Sequence, residues 1–583
     1  MRVLIRMELL DHWRLRLKRL LSWQNLGIGF LLAMLAYLIL IPIGMIIWGS
    51  FRDAPPGVEG GGYTLAKYVY AYGNPNFYQV ALNTTFFAVG ATLLALVAGT
   101  FLAWITERTN TPWRGLIYVL VMFPIIIPGI FHTIAWVLIL SPSAGLINKA
   151  GVLWLGREGP ILDVFSLPGM IWVQGTDVMG ISFLLMAAAF RTMDPVMEES
   201  AQTSGANLWY TLRTVTLPLL LPAILATTLL VFIRNIEAFE VPAVLGIPAG
   251  YPAFSTLIWV TVSTIPRDLN LSAAFSMTYL LVSSAGLYLY YRATSLKERF
   301  TTITGKGYRP TRINLGRTRY IIAIIATAFL FLSVGLPLLV LLYTSFLPYF
   351  QFPGQEAFDR LTLSQYKWIL EASMVRRATI NNLIVGTGSA LAAVFAAAAI
   401  SWVIIRTRMR GRKLLDALAF APIAFPGMVM GVALIWVYLT FPIGVYGTLW
   451  ILFLGFFTKY LCIAMRATHA SMTQVHQELI EASEVSGASW PRTFFQVIVP
   501  LILPGMLVGF IYVLSLTFKV LGLPILIGHT RTQMLAVAIW DLYENGSFSK
   551  ISALAILMFI FLVSLAAIAR AVASRFGVKQ SQS

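Results

Sequence analysis

Long apolar runs separated by short polar segments dominate this chain. A helix needs about 20 mostly apolar residues to cross a bilayer. Twelve runs reach or approach that length, and they lie near residues 26–48, 79–105, 115–140, 168–190, 217–234, 272–292, 320–345, 380–405, 414–440, 443–463, 498–518 and 550–572. The pattern predicts an all-α polytopic membrane protein with twelve transmembrane helices.

Two of the polar interruptions share one pattern and stand 282 residues apart. We call them the first motif loop (residues 194–216) and the second motif loop (residues 476–498). Each has a Glu followed by small residues and then a Gly, and a Pro stands two positions after the loop ends. The residues that carry the pattern are Glu199, Ala201, Gly205, Pro218, Glu481, Ala482, Gly487 and Pro500. Such a repeat indicates that the chain contains two related halves.

Other positions repeat as well, which fixes the predicted division of the chain. Asn83 and Asn381 are 298 residues apart, as are Trp104 and Trp402. The predicted parts are a basic N-terminal segment (1–25), a first half of six spans (26–292), a basic linker (293–319), a second half of six spans (320–572) and a tail (573–583). Because six is an even number, the halves are predicted to be tandem parallel repeats.

Composition and charge agree with a membrane protein. Charged residues make up 11% of the chain, against about 25% in an average soluble domain. The net charge of +18 comes from Lys and Arg in the predicted loops, which is typical of cytoplasmic loops. The charge distribution predicts that both termini are cytoplasmic, and the spans exclude a basic nucleic-acid-binding protein.

The motif loops carry helix start and stop signals. Asp194-Pro195 is typical of a helix start, Gly205 of a helix end, and Ser204 or Asn207 can cap the helix that follows. Residues 489–491 predict the same restart in the second loop. The second helix is predicted to end at the Pro of the motif. One such unit fits an ordinary connection, whereas two copies on one side of the membrane favour docking of two identical partners.

The motif resembles the cytoplasmic EAA loop of bacterial ABC-transporter importer permeases. That pattern is Glu-Ala-Ala, three residues, Gly, about nine residues, then an apolar residue, Leu and Pro. Here one Ala is Ser in each copy, and Val499 replaces Leu before Pro500. Over residues 26–572 the chain is similar to the fused-dimer permeases of the ferric-iron uptake type. The resemblance implies the ABC importer permease fold.

The resemblance also implies a function. The chain would be the permease subunit of an ATP-driven, binding-protein-dependent importer of the bacterial inner membrane, with ferric iron as cargo. A homodimeric ATP-binding subunit, which holds ATP and magnesium, would dock on the motif loops, and an extracytoplasmic substrate-binding protein would deliver the cargo. The chain itself would bind no cofactor and would not be an enzyme, and it has no G-x-x-x-x-G-K-[ST] phosphate loop. Phosphonate, thiamine and polyamine permeases are related, so these cargoes stay open.

Polar residues within the spans are candidates for the transport pathway. Asn83 and Asn381 lie at the outer ends of corresponding spans, where they either line the pathway or cap a helix. A second group lies at the outer end of the fifth span of each half, and it comprises Arg234, Asn235, Glu237, Glu240 and Lys519. This group either lines a pathway between the halves or forms an interfacial ion pair between Arg234 and Glu237.

Proline pairs are predicted to distort the third span of each half. The residues are Pro124, Pro128, Gly129, Pro422, Pro426 and Gly427. Pro removes a helix hydrogen bond, and broken backbone is tolerated in a membrane where it is buried or lines a cavity. The pattern fits either a hinge or a packing kink.

No metal site is predicted, because the five histidines are scattered and Cys462 is the only cysteine. An ion-coupled secondary transporter is the alternative functional class, since it too can have parallel halves. Such a transporter would not need two docking loops. A membrane-embedded enzyme lacks support from any His, Asp and Glu cluster in the sequence.

Overall fold

The computed structural model describes residues 23–156, 159–194, 196–297, 312–407 and 411–575. Within these ranges the chain is helical, and the β pairings are two isolated bridges. The predicted all-α class is therefore confirmed. Residues 1–22, most of the predicted linker and the end of the tail lie outside the described residues, so the predicted domain boundaries there stay predictions.

The helices of the first half alternate between long apolar segments and short connecting ones. They are α1 (Trp23–Ser50), α2 (Ala66–Gly73), α3 (Pro75–Arg108), α4 (Arg114–Ile126), α5 (Gly129–Leu140), α6 (Leu146–Leu155), α7 (Leu167–Thr192), α8 (Val196–Thr203), α9 (Leu208–Thr211), α10 (Leu217–Ile236), α11 (Phe254–Ser263) and α12 (Leu269–Lys297).

The second half repeats this order. Its helices are α13 (Thr318–Leu330), α14 (Leu336–Ser345), α15 (Gln355–Asp359), α16 (Ser364–Glu371), α17 (Ser373–Arg406), α18 (Arg412–Phe420), α19 (Gly427–Thr440), α20 (Leu449–Gln474), α21 (Gln477–Val485), α22 (Trp490–Thr493), α23 (Val499–Lys519), α24 (Gly522–Ile527), α25 (Leu535–Glu544) and α26 (Phe548–Arg575). Single π-helical turns join α9 to α10, α13 to α14 and α22 to α23.

Each of the twelve predicted apolar runs is mostly helical, although the helix of the tenth, predicted at 443–463, begins only at Leu449 and continues to Gln474. Among the described residues, ten helices are long and apolar enough to cross a membrane, and two bent pairs qualify when each is taken together. The pairs, which we call broken spans, are α4 with α5 and α18 with α19, bent by 104° and 110°. The predicted distortion is confirmed. Its cause is local, because Pro128 and Pro426 lack the N–H that would continue a helix.

Each broken span crosses the membrane once. In the first half Gly90 lies against Ile171 and Gly99 against Ser182, so α3 and α7 run in the same direction. The chain between them must therefore return across the membrane, and α4 with α5 is the only long apolar segment described there. In the second half Gly388 lies against Phe453 and Ser401 Oγ donates to Met465 Sδ at 3.7 Å, so α17 and α20 are parallel in the same way.

The two motif loops lie on the same side of the helical bundle. Thr109, which follows α3, forms a bridge with Ile313. From there the chain crosses once through α13 and α14 and returns through α17. The end of α17 therefore lies on the same side as the end of α3. Each of these ends contacts the motif loop of its own half, through Arg108 and Glu198 in the first half and through Trp402 and Phe494 in the second.

The first span of each half packs against the other half. In α1, Trp48 contacts Trp436 of α19 edge to face, with 6.0 Å between ring centroids. Near the start of the second half, Ala326 and Leu330 of α13 share a buried cluster with Ile117 of α4. Each broken span is thus covered by a helix of the opposite half, which ties the halves together.

Candidate functional site

The first motif loop is a pair of short helices joined by a glycine turn. Asp194 Oδ1 accepts a hydrogen bond from Val196 N at 3.0 Å, at the start of α8. Gly205 has φ +88°, in the left-handed region that favours glycine, and the helix ends before it. Asn207 Oδ1 accepts from Tyr210 N at 2.8 Å and caps α9. Of the two predicted caps, Asn207 is confirmed. Pro195 lies outside the described residues.

The second motif loop has the same shape. Gly487 has φ +78° and separates α21 from α22. The restart at residue 490 is present, although the Ser489 side chain makes no capping hydrogen bond. The Ser483 and Thr493 hydroxyls lie 2.9 Å apart and join the two helices. The shared backbone shape follows from the glycine, because an L side chain is strained at this φ.

The predicted ends of the second short helices were wrong. The helices continue through a π turn into the next span, so that Leu208–Ile236 and Trp490–Lys519 are each unbroken apolar helices. A π turn has wider hydrogen bonding than an α turn and precedes Pro218 and Pro500, which have no N–H to donate. An unbroken helix therefore joins each motif loop to the span that follows it.

The surface of both motif loops is open and partly apolar. Glu199 and Glu481 are exposed, and no atom lies near the Cβ position of either motif glycine. Trp209 is 74% exposed and Val485 is 89% exposed. The other exposed large apolar residues here are Val196, Met197, Tyr210, Leu479, Trp490 and Phe495. Contiguous exposed apolar groups of this kind mark interaction surfaces.

A buried ion pair that the sequence reading missed anchors the first motif loop. Arg108, at the end of α3, pairs with Glu198 of α8, and both side chains are almost fully buried. Thr216 Oγ1 donates to the same carboxylate at 2.6 Å. The buried carboxylate is thus Glu198, while the neighbouring motif residue Glu199 faces outward. The signal available in the sequence was two adjacent Glu residues in the first turn of a short helix.

The second motif loop has no equivalent carboxylate. The residues 282 positions after Glu198 and Thr216 are Ile480 and Ile498, which are both buried. Arg406 corresponds to Arg108, and it donates to the backbone oxygens of Met472, at 2.9 Å, and Val475. The same position in the fold is therefore filled by apolar packing and by an arginine bound to the end of a helix.

The asparagines at the outer ends of the second and eighth spans bind loops. Asn83 and Asn381 lie inside α3 and α17, well past the first turn, so the capping interpretation was wrong. Asn74 caps α3 instead. Asn381 Nδ2 donates to the backbone oxygens of Arg531 and Gln533 at 3.1 and 3.0 Å, and Asn83 Nδ2 reaches Pro252 O at 3.5 Å. Both residues tie a span to the segment that precedes α11 or α25.

The charged residues predicted at the end of the fifth span meet partners from the other half. Glu237 pairs with Lys459 of α20 and accepts from Gly427 N at 3.0 Å. Arg234 lies 3.7 Å from the second oxygen of Glu237, so the predicted ion pair exists within a larger group. Glu240 accepts from Leu521 N at 3.3 Å.

The same group includes Lys519 from the end of α23 and one more buried acid, Asp177. Lys519, at the end of α23, donates to the backbone oxygens of Pro124, at 3.5 Å, and Ile125. Asp177 of α7 lines the same cavity of about 110 Å³. We call Asp177, Arg234, Glu237, Glu240, Lys459 and Lys519 the charge cluster. Asn235 lies beside the cluster but bonds within its own half, donating to Thr92 Oγ1 at 3.0 Å.

A larger cavity lies on the predicted outer side of the charge cluster. Its volume is about 740 Å³, and Trp259, Arg267, Arg377 and Asp541 are among its lining residues. Burial raises the pKa of Asp541. Phe239 lines the small cavity and contacts Trp259, with 6.1 Å between ring centroids. These rings therefore separate the two cavities. In the described part of the chain, no group of three or more His, Cys, Asp and Glu side chains is placed to hold a metal ion.

Comparison with known proteins finds a family match for the second half of the chain. Residues 389–578 match the family described as "Binding-protein-dependent transport system inner membrane component". The putative ferric transport system permease protein FbpB 1 of Haemophilus influenzae is 28% identical over 61% of this chain, and the chain spans 57% of that relative's length. The Fe(3+)-transport system permease protein FbpB 2 of the same organism is 22% identical over 84% of this chain and 88% of its own length.

A shorter relative bears on the two-half organisation. The spermidine/putrescine transport system permease protein PotB of Salmonella typhimurium is 28% identical over 48% of this chain, and the match covers 98% of that relative. About half of this chain is thus similar to nearly the whole length of that relative. Residues 389–578 are thus similar to the inner membrane components of binding-protein-dependent transport systems, within a chain that resembles the long ferric-type permeases.

Proposed function

We propose that this protein is the transmembrane permease subunit of an ATP-driven, binding-protein-dependent importer. The observation that carries the proposal is the pair of motif loops. Both are exposed helix–glycine–helix units, both lie on one side of the bundle, and both continue without a break into a membrane-crossing helix. A force applied to either loop would therefore reach the interior of the bundle.

The proposed partner on this side is a homodimeric ATP-binding subunit. Two identical partners need two similar binding surfaces. The shared backbone shape at Gly205 and Gly487 makes the two motif loops similar in this respect. The exposed apolar residues beside each glycine offer area to bury on docking. ATP and magnesium would be held by that subunit, and this chain would supply no hydrolytic group.

The cargo is proposed to enter from the opposite side, delivered by an extracytoplasmic substrate-binding protein. The cavity of about 740 Å³ opens on that side between elements of both halves. The proposed location is the bacterial inner membrane with both termini cytoplasmic, as the Lys and Arg distribution favours. Ferric iron is the proposed cargo because the relatives that match most of the chain are described as ferric permeases; a polyamine is the alternative that the shorter relative favours.

Co-purification tests the docking proposal. The tagged chain is expressed with the ATPase subunit encoded beside it, as wild type and as a Glu199→Ala/Glu481→Ala variant. The variant is expected to retain at least tenfold less ATPase subunit, since both exposed carboxylates lie on the proposed binding surfaces. Glu356→Ala is the matched control, because Glu356 is an exposed Glu on the predicted outer side. Equal retention by the variant and the wild type would contradict the docking proposal.

The same preparations separate the importer from a secondary transporter. In proteoliposomes, uptake by an importer needs ATP on the side of the motif loops and does not respond to a proton or sodium gradient. Uptake that follows an ion gradient in the absence of any ATPase subunit would overturn the proposed function. The cargo is then identified by measuring which of ferric iron or a polyamine the neighbouring substrate-binding protein retains after purification.

A further inference from the structure

Four residues of the charge cluster stand at equivalent positions in the two halves and carry opposite charges. Asp177 and Glu237 of the first half correspond to Lys459 and Lys519 of the second, each 282 positions later. Each carboxylate in one half is thus replaced by an ammonium group in the other. Lys459 and Glu237 form a direct ion pair between the halves, and Asp177 and Lys519 line the same cavity.

The cluster lies inside the membrane-crossing part of the bundle. Asp177 and Lys459 each stand ten residues after the start of α7 and α20, which is roughly 15 Å along a helix at 1.5 Å per residue. Charged groups at such depth are costly unless they are paired or serve a function. Arg234 and Glu240 complete the lining with one charge of each sign, so the cluster holds three acidic and three basic side chains.

The breaks in the two broken spans explain why charges are needed here. A helix that stops inside a membrane leaves carbonyl oxygens unpaired at its end and N–H groups unpaired at the next start. At the second break, Lys459 Nζ donates to Phe425 O at 3.2 Å and Glu237 accepts from Gly427 N. Cations at helix ends and anions at helix starts are also favoured by the helix dipole.

The first break is arranged in the same way. Lys519 donates to the backbone oxygens of Pro124 and Ile125. The Cβ position of Gly129, at the start of α5, lies 3.7 Å from Asp177 Oδ2. Asp177 Oδ1 is buried and has no hydrogen-bond partner among the described residues. Each break therefore receives one charged group from its own half and one from the opposite half.

We propose that Asp177, Glu237, Lys459 and Lys519 form a latch that closes the pathway between the halves and holds both broken spans bent. The cavity of about 110 Å³ has room for about three or four waters, at about 30 Å³ each, so a chelated ferric ion or a polyamine passes only when the latch separates. Because each break depends on the opposite half, moving the halves apart also releases the breaks. The latch rests on the proposed transport function for its purpose, although its closure can be measured without any partner.

Labelling of a single cysteine tests the closure in the purified full chain. Cys462 is replaced by Ser, Val520→Cys is introduced in the cavity lining, and the protein is placed in lipid nanodiscs. A membrane-impermeant maleimide is expected to react at least tenfold faster in the Glu237→Gln variant than in the parent. Lys459→Met, which removes the same ion pair from the opposite half, is expected to raise the rate by a similar factor. The control is Lys67→Gln, which removes the Lys67–Asp268 ion pair within the first half and should leave the rate unchanged.

Labelling that is unchanged in Glu237→Gln or in Lys459→Met would overturn the latch without touching the importer proposal. If single variants do not fold, Glu237→Cys/Lys459→Cys in the Cys462→Ser chain replaces them. A short bifunctional methanethiosulfonate reagent is expected to cross-link the halves and to stop uptake in cells, and a reductant is expected to restore uptake. Failure to cross-link, or uptake that continues when cross-linked, would also overturn the latch.

Discussion

The two motif loops have one backbone shape and two different anchors. In the first loop a buried ion pair between Arg108 and Glu198, completed by Thr216, joins α8 to the end of α3. In the second loop the same places are taken by Ile480 and Ile498. The comparison teaches that the outward shape of the loop, set by its glycine, is separate from how the loop is attached. Two identical partners would therefore bind loops of similar shape, of which one is attached by a buried ion pair and the other by apolar packing.

The largest effect is expected from Arg108→Met. This change leaves Glu198 buried without its cation, which typically costs about 3–5 kcal/mol. We expect the amide protection of α8 to fall by a corresponding factor in hydrogen exchange on the purified chain. Arg406→Met is the comparison variant, since it strands no carboxylate, and its cost should be nearer the 1–3 kcal/mol of unpaired backbone acceptors. Equal losses in both loops would contradict the proposed difference in anchoring.

Substitution of the motif glycines is expected to have a smaller effect, which should be equal in the two loops. Gly205→Ala and Gly487→Ala each force a Cβ into the left-handed region, at about 1–2 kcal/mol. Hydrogen exchange of α8 and α21 should report the same loss in both loops, because both glycines have similar positive φ. Gly115→Ala is the control, since this helical glycine has open space around it and Ala favours a helix. A loss confined to one loop would show that the shapes are not equivalent.

The smallest effect is expected when the first anchor is made apolar as a whole. In Arg108→Met/Glu198→Ile/Thr216→Ile, all three buried polar partners are removed together. Replacing a buried ion pair by apolar groups of similar size is often nearly neutral, so amide protection of α8 should change by about 1 kcal/mol or less. If the triple variant loses as much amide protection of α8 as Arg108→Met alone, the ion pair itself stabilises the loop. An apolar anchor would then not be equivalent to the ion pair.

The sequence predicted the spans and the motif loops because both depend on local patterns. Apolar length identifies a crossing helix, and Gly, Asp and Asn mark helix ends, as Gly205 and Asn207 confirm. The second short helix was placed wrongly because a π turn lets a helix continue into Pro218. The role of Glu198 could not be predicted, because Arg108 is 90 positions away on α3. The role of Asp177 could not be predicted either, because Lys519, which lines the same cavity, belongs to the other half. Such contacts appear only once the packing of the halves is known.

The charge cluster also bears on how the two halves find each other. Asp177 and Glu237 sit on one half, and Lys459 and Lys519 sit on the other. If two copies of the first half came together about the same axis, carboxylate would face carboxylate; two copies of the second half would bring ammonium groups together. Like charges in contact at low dielectric oppose both assemblies. The sequence divergence between the repeats thus encodes mutual recognition, and joining them in one polypeptide supplies each half with the unlike partner it requires.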